Sequence, residues 1–179
     1  MQTTAKQWVR AAILAALVLG LAACQTTPFR RTLPGWVQRV QVPMVINHTT
    51  EPGLEERFTD AVTREILADG RLDVVPASQC DAVLRVTVKS YKTLSASFSS
   101  DDTESQREIN LVLGLALYDP TDPKTALGQA KDFPLSFRYY PDYRGVTSLT
   151  REDAMDRLST VVGRTVVRQL MSGVEMTRP

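Results

Sequence analysis

The chain has 179 residues, with 21 Lys and Arg against 20 Asp and Glu, one histidine, two cysteines and a formal net charge of +1. That balance excludes an electrostatic nucleic-acid binder of the usual kind, and one histidine excludes any multi-histidine metal site. Two cysteines are too few for a disulfide framework.

Lys6 and Arg10 form a short basic start, and residues 11–19 (AAILAALVL) are uninterrupted apolar and small. A permanent membrane helix needs about 20 such residues, so this run reads as a secretory signal. It closes on Leu21-Ala22-Ala23-Cys24, which resembles a bacterial lipobox. The resemblance implies acylation of the Cys24 thiol and cleavage just before it. Basic start, apolar run and four-residue box in that order favour this over an ordinary signal peptide. The segments are then a lipoprotein signal over 1–23, a lipidated tether over 24–35 and a single domain over 36–179. Loss of Lys6 and Arg10 brings the mature charge to about −1. Gln25 follows the cysteine; in such lipoproteins an aspartate there favours the inner membrane, so its absence implies the outer membrane, on the periplasmic face.

Residues 36–46 (WVQRVQVPMVI) alternate. One strand is expected, with Val40, Val42, Met44 and Ile46 buried and Pro43 at an edge or a bulge. Asn47-His48-Thr49-Thr50 is a turn. A first helix is expected over 51–69, with Leu54, Phe58, Ala61, Val62 and Ile66 at helical spacing and Gly70 as its stop. A short strand follows around Arg71–Val75. Cys80, with Cys24 lipidated, has no partner and reads as a small semi-buried residue.

Residues 82–92 alternate again, with Leu84, Val86 and Val88 inward and Arg85, Thr87 and Lys89 outward. Residues 95–105 (SASFSSDDTES) read as a polar hairpin connection. Residues 106–118 hold the strongest strand, with Ile109, Leu111, Leu113, Leu115 and Leu117 on one face. Asp119–Pro123 is a turn cluster, residues 129–140 a further strand and 141–149 a loop. Thr150 and Asp153 form a variant capping box. Leu158, Val162, Val166 and Leu170 then mark a last helix that ends at Ser172-Gly173.

The predicted fold is α+β: a two-layer α/β sandwich. A mostly antiparallel or mixed sheet of four to five strands carries two helices packed on one face. Residues 82–140 are expected to form an antiparallel meander.

Catalytic equipment is thin. There is no nucleophile elbow and no phosphate-cradling glycine loop. His48 reads as a loop residue, and no metal or cofactor is implied. The cations are more informative. Arg39, Arg85, Lys89 and Arg138 should project from the sheet face away from the helices, with Lys92 and Arg144 at strand ends or loops. Such a face could hold a phosphorylated amphiphile. The alternative is a solvated antiparallel face.

The lipobox, a strand near Val42-Pro43 and Asn47-His48-Thr49-Thr50-Glu51-Pro52-Gly53-Leu54-Glu55 together resemble the LptE family of lipopolysaccharide-assembly lipoproteins. So do Phe58-Thr59, Asp69-Gly70-Arg71-Leu72 with Val74-Val75, and Asp81-Ala82-Val83-Leu84 leading to Tyr91. The resemblance implies a non-enzymatic plug of an LptD-type outer-membrane β-barrel that assists delivery of lipopolysaccharide. Its members' basic lipopolysaccharide contacts lie near a hairpin and near the start of the last helix. The hairpin tip here, Phe98–Asp102, has no base, while Arg151 matches the second position with Arg144 close by. The expected lipopolysaccharide-binding residues are thus Arg85, Lys89, Arg138, Arg144 and Arg151, with Cys24 as the lipid attachment. Other classes fit the same layout: an auxiliary lipoprotein of a phospholipid ABC-transport system, a pilotin-like chaperone, a peptidoglycan-contacting lipoprotein or a hidden hydrolase.

Overall fold

A computed structural model of the chain describes residues 33–98, 104–140, 150–172 and 174–176. In chain order the elements are β1 (Arg39–Gln41), β2 (Ile46–Asn47), α1 (Leu54–Asp69), β3 (Asp73–Val74), a 3-10 turn (Ala77–Gln79), β4 (Ala82–Phe98), β5 (Glu104–Tyr118), β6 (Ala126–Tyr139), α2 (Arg151–Ser172) and β7 (Val174–Met176). The strands make one sheet in the order β3-β1-β4-β5-β6-β7, with β2 beside β4 as well. The short strands β1 and β2 run parallel to β4, and β1 runs parallel to β3. The β4-β5-β6 meander is antiparallel, and β7 pairs antiparallel with β6.

The expected α+β sandwich with both helices on one sheet face is what the chain builds. The buried face of the meander is Leu84, Val86 and Val88 on β4, the alternate leucines of β5, and Phe133 and Leu135 on β6. Leu54, Phe58, Val62 and Ile66 of α1 and Leu158, Val162, Val166 and Leu170 of α2 lie against it, all at 0 % exposure. A side chain such as Phe58, fully withdrawn from water, contributes about 2–3 kcal/mol.

One end of each helix is marked by local chemistry. Gly70, at φ 69°, donates its N–H to Ile66 O at 3.2 Å and ends α1 in the left-handed conformation that glycine adopts without strain. The box at α2 is reciprocal. Thr150 Oγ1 accepts the Asp153 N–H at 3.1 Å, and Asp153 Oδ2 accepts the Thr150 N–H at 3.3 Å. The helices approach closely at Gly163, where a Cβ would meet Ala61 O at 2.7 Å. Arg57 bridges their outer surface to Glu152 and Asp156, and Arg164 reaches Glu65 at 3.2 Å.

Three expectations are corrected. The single strand over 36–46 is two short strands separated at Pro43, so Met44 and Ile46 are exposed while Val45 is buried. Pro43 has no N–H to give the ladder, and Val45 N–H turns to Thr59 Oγ1 at 2.9 Å, away from β4. The 95–105 connection is mostly strand: β4 runs to Phe98, and β5 begins at Glu104. Its serine-rich sequence shows no apolar alternation, and the backbone ladder between two long neighbours is enough to extend it. Among the described residues the sheet has seven strands, because the first one divides and because β7 follows α2.

Candidate functional site

The outer face of the meander, opposite the helices, is laid out by register. Paired residues of antiparallel strands share a face, so the outer rows are Arg85–Ala116–Gln129, Ser90–Val112–Pro134, Lys92–Asn110–Ser136 and Leu94–Glu108–Arg138. Between the first two rows both ladders slip. The β4–β5 register shifts between Val88 and Ser90, and the β5–β6 register shifts between Leu113 and Leu115. Such bulges re-aim side chains.

The slip at Lys89 carries most of the surprise. Strict alternation from Arg85 would turn Tyr91 outward and Lys92 inward. The extra residue reverses this: Tyr91 packs against the core with its hydroxyl 3.8 Å from Met155 Sδ, and Lys92 stands exposed on the outer face, mid-strand. The three-residue step from Val88 to Tyr91 in the apolar pattern was the signal for it.

Lys89 itself lies across the middle strand. Its Cε would be 2.9 Å from a Cβ on Gly114, and its Nζ pairs with Asp132 Oδ2 on β6 at 2.7 Å. Only the bare backbone of Gly114 lets the lysine lie so low. Two rows further along, Glu108 Oε2 receives Arg138 Nε at 2.9 Å, and Glu108 Oε1 accepts the Ser136 hydroxyl at 2.7 Å. The Ser136 hydrogen bond, and after it the Arg138 guanidinium, hold the Glu108 carboxyl below the usual range.

Between these two ion pairs runs a groove of about 380 Å³, lined by Ser90, Lys92, Asn110, Val112, Pro134 and Ser136 together with Leu111 and Leu135. Lys92 makes no ion pair among the described residues. The groove therefore offers an apolar floor, the Ser90 hydroxyl and the Lys92 ammonium, beside a Ser136 hydroxyl and an Asn110 amide engaged by Glu108, a setting suited to an anionic amphiphile.

The expected site residues do not all meet here. Lys89 and Arg138 flank the groove. Arg85 is on the same face beyond the bulge, stacked over the Tyr118 ring at 4.0 Å. Arg39 is also exposed, but Asp81 neutralises it. Arg151 belongs to the helix layer, at the start of α2, where it pairs with Glu51. Arg144 and Cys24 lie outside the described residues. Lys92, Asn110 and the counter-ions Asp132 and Glu108 were not among the expected site residues.

The Asn47–Glu55 stretch that suggested a family is structural. Asn47 Oδ1 accepts the Thr49 N–H at 2.9 Å, and its Nδ2 donates to Glu51 O at 2.7 Å and to Glu55 Oε1 at 3.1 Å. This folds the turn onto the start of α1 and places Glu51 for Arg151. His48 is exposed, and its backbone N–H donates to Val88 O at 2.9 Å.

The model of the LptE family, described as lipopolysaccharide-assembly, matches residues 37–170. No curated protein matches the chain. Among solved structures it is similar to uncharacterized lipoprotein B from Nitrosomonas europaea, at 15% identity over 78% of this chain and 88% of that one, with a TM-score of 0.49. It is similar to rare lipoprotein B from Shewanella oneidensis, at 17% identity over 74% and 93%, with a TM-score of 0.45. A minor lipoprotein from Acinetobacter baumannii matches at 11% identity over 80% and 98%, with a TM-score of 0.46.

Proposed function

The chain belongs to the LptE lipopolysaccharide-assembly family, and on that premise we propose that it is a lipid-anchored outer-membrane lipoprotein that plugs an LptD-type β-barrel. In this reading it faces the periplasm, assists the folding of the barrel and helps pass lipopolysaccharide to the cell surface, and it catalyses no reaction. The observation that carries the proposal is the family match over residues 37–170, which takes in the whole meander and nearly all of both helices. Cys24, inside Leu21-Ala22-Ala23-Cys24, supplies the anchor.

The lipopolysaccharide contact is assigned to the outer sheet face. Lys89, Lys92 and Arg138 line or flank the groove and take lipid phosphates, Val112 and Pro134 give the apolar floor, and Arg85 extends the basic strip. Arg151, with Arg144, supplies a second contact at the start of α2.

Affinity purification of the full-length chain from solubilised outer membranes tests the main reading. An LptD-type barrel is expected in near-equal amount, and a preparation with no such barrel would overturn it. Lys89→Ala with Lys92→Ala tests the contact: weaker lipopolysaccharide binding is expected, and unchanged binding moves the contact off the groove.

A further inference from the structure

We propose that Asp132 is a built-in competitor at the lipid-binding groove, holding the Lys89 ammonium until a phosphate displaces it. The inference rests on the reading of the outer face as the lipopolysaccharide contact and adds to it the way that contact is controlled.

Two acidic residues neutralise cations beside the groove, and they are held differently. Glu108 is 19 % exposed in its side chain and is engaged by both Arg138 and Ser136, so it is held by two partners. The Asp132 side chain is 41 % exposed, and Lys89, whose side chain is 43 % exposed, is its one polar side-chain partner among the described residues. An exposed pair of single charges is weak and screened by salt. A phosphate group brings more charge and more acceptor oxygens than one carboxylate. Asp132 is thus the more readily released partner, and Glu108, held by two side chains, the less.

The placement of Lys89 makes release useful. It is the extra residue of the β4 bulge, directly before Ser90, whose row with Val112 and Pro134 forms the groove floor. Lys92, unpaired among the described residues, stands on the next row, about 7 Å further along the strand. A phosphorylated headgroup first meets Lys92. It then draws the Lys89 ammonium off Asp132, and the flexible lysine stem turns along its own strand to meet it. A neutral glycolipid has nothing to exchange for Asp132 and leaves the pair closed. The contact therefore discriminates by phosphate as well as by acyl chain.

The test uses the full-length chain in detergent, with rough-type lipopolysaccharide and the same material enzymatically dephosphorylated as probes. Asp132→Asn is expected to tighten binding of the phosphorylated probe by about two- to five-fold and to leave the dephosphorylated one unchanged, and Asp132→Ser should do the same. The double variant Lys89→Ala/Asp132→Asn should lose the gain, which a merely structural role for Asp132 would not produce. If wild type binds and Asp132→Asn binds equally, or if the gain survives without Lys89, the competitor role is overturned while the contact stands. If neither wild type nor Asp132→Asn binds the phosphorylated probe, the contact itself is wrong and the proposal falls with it.

Discussion

Asp81 closes on Arg39 with both carboxylate oxygens. Its Oδ1 takes Arg39 Nη2 at 2.8 Å, while its Oδ2 accepts the backbone N–H groups of Arg39 at 2.8 Å and Gln38 at 3.1 Å. The Asp81 N–H returns a bond to Arg39 O at 2.8 Å. This knot ties β1 to the start of β4. The Arg39 side chain, then the backbone N–H donors of Arg39 and Gln38, lower the Asp81 carboxyl from 3.8 to about 2.

A carboxylate whose folded pKa is depressed contributes stability above its unfolded pKa and loses it as pH falls through the folded value. The Asp81 contribution is therefore complete above about pH 4 and is lost between about pH 4 and pH 2. Asp81→Asn should lower the melting temperature at neutral pH and flatten the acid limb in that window. Thermal melts from pH 7 to pH 2 check it, and parallel acid limbs for variant and wild type would contradict it.

Gly163 predicts a second loss. Its Cβ would meet Ala61 O at 2.7 Å and Ala61 C at 3.0 Å, and backbone cannot step aside as a side-chain tip does. Overpacking of this kind costs about 1–3 kcal/mol, against a helix-propensity gain of about 1 kcal/mol for alanine over glycine. Gly163→Ala should lower the stability measured by urea titration by up to about 2 kcal/mol, with the slope unchanged. A variant more stable than wild type, showing the propensity gain without the overpacking cost, would mean that the helices are not in this contact.

Gly114→Ala should behave differently, although a Cβ there would also lie 2.9 Å from its nearest neighbour. That neighbour is the Cε of an exposed lysine, which can move. Stability should stay within about 0.5 kcal/mol of wild type, while the Lys89 strap lifts away from Asp132. Lysine acylation followed by mass spectrometry reads this directly: Lys89 should react faster relative to Lys92. An unchanged ratio would show that the strap does not depend on the glycine.

The helices and the antiparallel meander were legible because their apolar periods are long: Leu54 to Ile66, Leu158 to Leu170, and five alternate positions in β5. Gly70 and the Thr150–Asp153 box marked ends by local chemistry that needs no tertiary information. What escaped was set by partners distant in sequence. The short strands β2 and β7 exist because β4 and β6 offer a ladder, and the serine-rich extension of β4 exists because β5 lies beside it. The site was half legible. Alternation found Arg85 and Lys89, but a bulge turned Lys92 outward, and no sequence rule pairs Lys89 with Asp132 forty-three residues on. Counter-ions decide which cations are free, and pairing across strands is the least local fact about a sheet.

Cys24 gives the last prediction. Among the described residues the packed core begins at Leu33, which is buried in the same cluster as Val37, Leu72 and Met171. The described core residues that hold the two layers together all lie downstream of Cys24, so a lipid on Cys24 should contribute location and not folding. Buried acyl chains hold a protein at a membrane by about 0.8 kcal/mol per methylene, and confinement there raises the effective concentration of a membrane partner. Cys24→Ala should abolish incorporation of labelled palmitate and reduce recovery with the outer-membrane barrel, while the melting transition of the domain stays that of wild type. Retained label would remove Cys24 as the attachment point. A variant that fails to fold would instead make the N-terminal segment part of the structural unit.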